Sequence, residues 1–592
     1  MAVTGGTVDM KTAVGFPFPQ GCTVEGQTAN FSVAVPEGQT CELIIYKKGA
    51  RASAFSQEMP YSDVAGNLHF LSVVLEQPED YEYCYKIGGK IVPDPYGKAF
   101  SGREHWSVSK EKEKRKLRTR IVTDTFDWEK SQFPHLKKED VIAYSLHVRG
   151  FTKHSSSGVA HKGTFDGVTE KLPYLQKLGI NQIHLMPVYE FDENQRHVNC
   201  CGYGKAYFFA PKASYAAGDP VNEMKSLVRQ MHLAGIEVIL EMPFTEGTTF
   251  SLILDCLRYW VMQYHVDGFI VNPYICNPDE LAKDPVLAKS KILKKEDGFQ
   301  NVMRRFLKGD EGMIRDVICQ LKNQDTQLYN YIASHNGFTL CDVVSYDGKH
   351  NEANGENNLD GPDYNYSWNC GAEGYSRKKS IRRLRMGQLK NAFLMLLLSQ
   401  GTPLIFQGDE FGNSQGGNNN AWCQDNETGW VNWKKLRQNK ELFEFVKEAV
   451  SIRKMHSILH LESELKGADY KAVGYPDISY HSNQPWYYSG SPQYRHIGIL
   501  YCEDYAGCEK ELLFAAYNFH WNEHEFGLPS LSEKMSWEQI LTSGEDAEIE
   551  TEILKEEKTE KNKKKKEIQR KKVTIKVGPR TVVILKGKQD EN

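Results

Sequence analysis

Residues able to do chemistry gather in short strings at the ends of apolar, strand-like runs: His147-Val-Arg-Gly-Phe-Thr, Glu241-Met-Pro-Phe-Thr-Glu, His265-Val-Asp-Gly-Phe-Ile-Val-Asn, Lys295-Glu-Asp and Ser334-His-Asn-Gly-Phe. Together they supply imidazole, carboxyl, ammonium and amide groups. Such groups meet when the strands carrying them lie side by side with their C-terminal ends at one face. Thiol and metal chemistry fit the pattern poorly. The 13 cysteines include the adjacent Cys200 and Cys201 but no Cys-x-x-Cys, which reads as reduced thiols, neither a disulfide frame nor a zinc site. No metal and no cofactor is expected.

The elements that must position these residues follow from patterning. At roughly 150 residues per domain, the 592 residues predict three or four domains. Residues 1–107 alternate in short runs around 29–35, 41–46 and 81–87 with Gly, Pro and Asn between them, predicting an N-terminal β-sandwich. A charged linker is expected over 108–138, centred on Lys110-Glu-Lys-Glu-Lys-Arg-Lys. Over 139–460, strand-like runs at 141–146, 182–187, 237–241, 268–272, 291–295, 332–336 and 403–407 alternate with helical periods at 221–234, 251–264 and 381–398. That alternation predicts a (β/α)8-type TIM barrel whose sixth strand is missing or badly shortened. Residues 461–592 return to strand patterns at 497–501, 512–518 and 581–586, predicting a C-terminal β-sandwich. A Lys/Glu-rich loop at 555–572, expected to be a mobile surface loop with a docking tail as the alternative, interrupts it.

Further strings join these: Leu185-Met-Pro-Val-Tyr-Glu-Phe, Gly202-Tyr-Gly, Lys349-His-Asn-Glu-Ala-Asn-Gly-Glu-Asn-Asn, Gly408-Asp-Glu-Phe-Gly and Gly417-Asn-Asn-Asn-Ala-Trp-Cys-Gln-Asp-Asn. With them the chain resembles, over nearly its whole length, the isoamylase-type glycogen debranching enzymes of the α-amylase superfamily (glycoside hydrolase family thirteen). The first domain then looks like a carbohydrate-binding module closed by Asp94-Pro-Tyr-Gly-Lys-Ala. The resemblance implies hydrolysis of α-1,6 branch linkages in glycogen or starch-like glucans. It also implies three carboxyls at strand ends: a nucleophile, a protonated acid and an Asp that grips the distorted sugar.

None of the three stands where the resemblance places it. The nucleophile position holds Asn272, whose neutral amide cannot form a glycosyl ester, and the preceding Arg position holds Ile270. The two changes belong together, because a buried Arg without its carboxylate would be an uncompensated charge. The acid/base position falls on Lys295. A slip of one residue offers Glu296, which strand alternation points to the opposite face. A lysine ammonium, with its ordinary pKa of about 10.4, is a poor proton donor at neutral pH. The sugar-gripping Asp position holds Asn336. The loops after the third and fifth strands are short, while those after the seventh and eighth are full length.

The expected function is therefore a catalytically inactive homologue in α-glucan metabolism that binds glycogen or maltodextrin, or supports an active debranching enzyme as partner. The alternative is a working α-1,6-glucosidase with carboxylates relocated to Glu241, Glu246, Glu296 or Asp342. Substrate contacts are expected from Tyr203, His335, Asn272 and Asn336. The plainer expectation makes Tyr203 and His335 structural, puts Trp422 and Trp430 in the core, and has the Asn-rich strings fold loops through side-chain-to-backbone bonds. Formal charge is −4, from 73 basic and 77 acidic residues, which argues against nucleic-acid or anionic-membrane binding. The first residues show no secretion signal and no apolar run is long enough to span a membrane, so a cytoplasmic location is expected.

Overall fold

A computed structural model of the chain describes residues 10–107, 117–325, 327–507, 511–532, 535–559 and 565–589. Its centre is a parallel sheet of seven strands. In spatial order they are Lys291–Leu293, Gly268–Val271, Glu237–Met242, Gln182–Leu185, Ala143–Leu146, Thr402–Phe406 and Tyr329–Asn330. Nearly every residue of these strands is buried, as parallel strands covered on both faces require. One parallel bridge, Lys294 to Leu328, spans the two edges and nearly closes the barrel. Between those residues run the helices Gly298–Lys308 and Ile314–Lys322, and no strand takes the sixth place among the described residues.

Three sequence expectations are corrected. The strand expected at 332–336 lies instead at Tyr329–Asn330, and 332–336 runs on as bends. The buried Arg304 guanidinium claims the carbonyls of Ile332 (2.7 Å) and Phe338 (3.3 Å), groups that a strand would need for its ladder. The loop expected at 555–572 belongs to an antiparallel hairpin of Glu548–Thr559 and Lys565–Val577. Its register starts with Glu548 opposite Lys576, puts Ile549 opposite Ile575 and Thr551 opposite Val573, and continues outward to Thr559 opposite Lys565. Residues 560–564 lie outside the described residues. Finally, the 108–138 segment is not wholly a linker: Arg118–Arg120 is a strand paired with Tyr81–Ile87 and Phe100–Ser101. Its Arg118 guanidinium lies 3.5 Å from the Tyr46 ring centroid, and Arg120 meets Asp219 at 2.8 Å. Part of the charged run itself, 108–116, lies outside the described residues.

Before the barrel, two antiparallel sheets share one core that includes Phe31, Leu43, Ile45, Leu71, Tyr83 and Tyr85. Asp94 is buried beneath them and accepts the hydroxyls of Tyr83 (2.6 Å) and Tyr85 (3.2 Å). After the barrel come a five-stranded sheet and a three-stranded sheet containing the hairpin. The helix Lys379–Leu397 carries the chain into the last barrel strand. Its C-terminal end is closed by the buried Arg453, which donates to the carbonyls of Leu397 (2.8 Å), Ser399 (2.5 Å) and Gly401 (2.6 Å).

Candidate functional site

Alternation along the strands decides what faces the barrel interior. Val141, Ala143, Ile239, Ile270, Leu293 and Leu404 belong to the apolar plug inside it. Ile270, which stands where the resemblance expects Arg, is thus a plug residue. Two residues further along each strand, the direction of the plug residues projects Ser145, Glu241, Asn272, Lys295 and Phe406 to the mouth.

Glu241 is the hub there. Its carboxylate accepts Lys295 Nζ at 2.7 Å and the Tyr203 hydroxyl at 2.6 Å, and His184 Nε2 stands 2.9 Å away. His335 Nε2 meets the same Tyr203 hydroxyl at 2.8 Å, with the two rings stacked at 5.7 Å. Burial pushes the Glu241 carboxyl up, but the Lys295 charge and the His184 hydrogen bond outweigh it and hold the group well below the usual range. Burial, reinforced by Lys295, lowers His184 to about 4 and His335 to about 3. The mouth therefore contains a closed Glu–Lys ion pair ringed by a phenol and two neutral imidazoles.

The remaining expected site residues are not drawn into this hub. The Asn272 amide oxygen accepts the Tyr274 N–H at 3.0 Å, closing a turn just past its strand. Asn336 is exposed in the bend beyond His335. Glu296 is exposed and pairs with Lys294 at 3.1 Å, and Glu246 is exposed. Asp342 is buried, accepts from Ser414 Oγ (2.5 Å) and Gln415 N (2.8 Å), and is pushed up to about 6 by burial. Trp422 and Trp430 are half-buried, not core, and Trp430 donates to Asp425.

Sequence reasoning missed His184 and the pairing of Glu241 with Lys295. A signal existed. Glu237 and Lys291, four residues earlier on the same two strands, form the same pair at 2.5 Å at the other end of the barrel. Acid and base recur at one spacing on both strands, so a register that pairs one pair also pairs the other.

The long loops after the last two barrel strands are welded together by amides. Asn351 Nδ2 donates to Asn419 Oδ1 (2.8 Å), Asn418 to Asn354 (2.9 Å) and Asn419 to Asn365 (2.9 Å), alongside backbone bonds such as Asn354 to the Asn420 carbonyl. On this side a small cavity of about 40 Å³, lined in part by His147, Cys201, His335, Gln424 and Trp430, opens beside the hub. That is far below the roughly 300–1,000 Å³ of small-molecule sites.

A parallel barrel with its polar cluster at the C-terminal strand ends and added β-sheet units on either side is the build of an α-amylase-type barrel protein. The family model "Alpha amylase, catalytic domain" matches residues 140–246. Isoamylase 1 (chloroplastic) of Arabidopsis thaliana is 31% identical over 587 aligned residues, covering 74% of this chain and 75% of that protein. The glycogen operon protein GlgX homolog of Haemophilus influenzae is 31% identical, covering 63% and 74%. This chain belongs to the isoamylase family. Among solved structures, the pullulanase from Bacillus acidopullulyticus has the same fold at a TM-score of 0.71 and 18% identity, covering 96% of this chain and 75% of that one. The catalytic module of the pneumococcal protein SpuA matches at 0.72 and 16% identity, covering 97% of both.

Proposed function

We propose that this protein is a non-hydrolysing member of the isoamylase family that binds α-glucan such as glycogen or maltodextrin and supports an active debranching enzyme. Its relatives are named as isoamylases and glycogen operon proteins, and a role in glucan metabolism follows from that kinship. The Glu241–Lys295 pair carries the proposal. An ammonium already bonded to a carboxylate stands where the reaction requires a protonated carboxyl. The amide at 272 offers no nucleophile, and Asn336 offers no charge to grip a distorted ring. Relocated catalysis finds little support, because glycoside cleavage needs two carboxyls at a set separation. Of the four alternatives, Glu241 is spent on Lys295, Glu246 and Glu296 face solvent, and Asp342 is enclosed by donors. In this reading the two-sheet unit before the barrel is a carbohydrate-binding module, supplies most of the affinity for glucan, and works with the barrel and the C-terminal sheets as three domains. A cytoplasmic setting belongs to the same proposal; the Arabidopsis relative is named as chloroplastic. Among the described residues no helix is long and apolar enough to cross a membrane.

The test is release of reducing ends from pullulan and glycogen by the pure protein. No release is expected while glucan binding is retained. Release that survives Asn272→Ala but disappears in Glu241→Gln would establish relocated catalysis instead.

A further inference from the structure

The closed ion pair and the small cavity leave the barrel mouth little to offer a glucan chain, yet an aromatic surface stands elsewhere. The loop joining Ile478–His481 to His496–Cys502 carries Trp486, Tyr487 and Tyr488 in succession, all exposed. Trp486 is 49% exposed and its backbone has φ of 67°, a conformation that bulky L residues seldom adopt. It is held there deliberately. Its N–H donates to Nδ1 of the buried His481 at 2.8 Å. The preceding Pro485 lies so close to Gly527 that any Cβ on that glycine would sit 2.5 Å from the proline ring. The Gly527 N–H bonds the Ser482 carbonyl at 2.8 Å, fixing the root of the loop to the neighbouring strand.

The indole packs beside Tyr475 (centroids 6.1 Å, 32° between planes) and the His481 ring (5.1 Å). Tyr475 is itself tied through its hydroxyl to the Ser530 carbonyl at 2.9 Å. From Asn483 to Ser491 the loop itself carries amides and hydroxyls and no charged residue, and the Arg315 guanidinium of the helix Ile314–Lys322 reaches it at Gly490. Strain kept at a residue that fills no core is strain that aims a side chain. Aromatic faces present negative π density and a dry surface, and a glucose ring presents a face of C–H groups with hydroxyls around its rim. An aromatic patch bordered by amides and hydroxyls complements that ligand.

We propose that the Trp486–Tyr475 face is a stacking platform for a glucose unit of an α-glucan chain, a second contact beside the N-terminal unit. It rests on the glucan-binding reading above. The test uses the full-length protein in native electrophoresis through gels containing glycogen or maltodextrin, with melting temperature, light scattering and reducing-end release measured on the same samples. Trp486→Gly removes the ring and relieves the backbone, so its melting temperature should not fall while its affinity for the gel weakens at least about fivefold, which is roughly 1 kcal/mol. Trp486→Tyr, which keeps an aromatic face, should retain most of the binding. Should Trp486→Gly melt early, Trp486→Gln takes its place with the same expected loss. Unchanged retention in the ring-less variant overturns the platform, as does a wild type that glucan gels do not retard. A changed oligomeric state with retention intact also overturns it and makes the patch a protein interface. Reducing-end release by the wild type would instead overturn the non-hydrolysing reading and leave the platform standing.

Discussion

Lys295→Met would leave the buried Glu241 carboxylate facing Tyr203 and His184 without its cation. Breaking one side of such a pair is expected to cost about 3–5 kcal/mol. The double variant Glu241→Leu/Lys295→Met removes both charges and should recover most of that loss, which urea denaturation of the two variants and the wild type would measure. The same pair bears on whether carboxyls placed at the three positions could act in the proposed non-hydrolysing barrel. In Asn272→Asp/Lys295→Glu/Asn336→Asp, the new glutamate meets Glu241, the carboxylate that held Lys295 at 2.7 Å. Two carboxyls so close cannot both ionise readily, and Ile270 leaves no arginine to offset them. No hydrolysis of pullulan is expected from this triple variant. Recovered activity would confine the proposed loss of catalysis to these three side chains.

At the scale of elements, the barrel has, among the described residues, seven strands and a seam closed by one bridge, so strand contacts near that seam matter most. Gly268 begins the fourth strand, and a Cβ there would lie 2.1 Å from the Lys291 carbonyl oxygen on the fifth. Gly268→Ala is therefore expected to push the short fifth strand away and cost about 1–3 kcal/mol, read as a lowered melting temperature. Lys291 and Lys295 counter this weakness by clamping the fifth strand to the third through Glu237 and Glu241. On the other side of the mouth, Asn419 bridges Asn351, Asn365 and the Pro362 carbonyl. Asn419→Ala removes these bonds from a largely buried amide network, at an expected cost of about 1–3 kcal/mol, and should raise amide hydrogen exchange across 349–365.

For the whole molecule, pH dependence sums opposing groups. His335 and His184 are lowered to about 3 and 4, so the folded protein keeps them neutral where the unfolded chain, titrating near 6.5, takes up protons. Their contribution to stability is full above pH 6.5 and falls away as pH drops toward 4 and 3. Asp94 and Asp342, pushed up to about 6 by burial, act with the opposite sign: the fold holds their protons more tightly, and stability rises as pH falls through 6 toward 3.8. A comparison of melting temperatures isolates one group. Between pH 7 and pH 5, His335→Gln should lose less stability than the wild type; an equal loss would place the acid sensitivity elsewhere.

The sequence by itself determined the class of fold and which residue types stand at the barrel's strand ends. Parallel strands buried on both faces must be apolar runs, and helices between them must repeat at their own period, so the barrel, with no strand in the sixth place among the described residues, was legible in patterning. Asn272, Lys295 and Asn336 are equally plain as residue types, because an amide or an ammonium cannot act as a carboxyl in any fold. Register and partnership were not legible. The displaced strand at Tyr329–Asn330 follows from the reach of Arg304 to carbonyls 28 and 34 residues further along the chain. The hairpin over 548–577 follows from a pairing register, whereas its composition resembles a solvated loop. Above all, only the tertiary structure joined Glu241 to Lys295 across 54 residues and set Tyr203, His184 and His335 around them. Composition states which charges exist, but burial and distance decide whether a charge is free to react or is already spent on its neighbour.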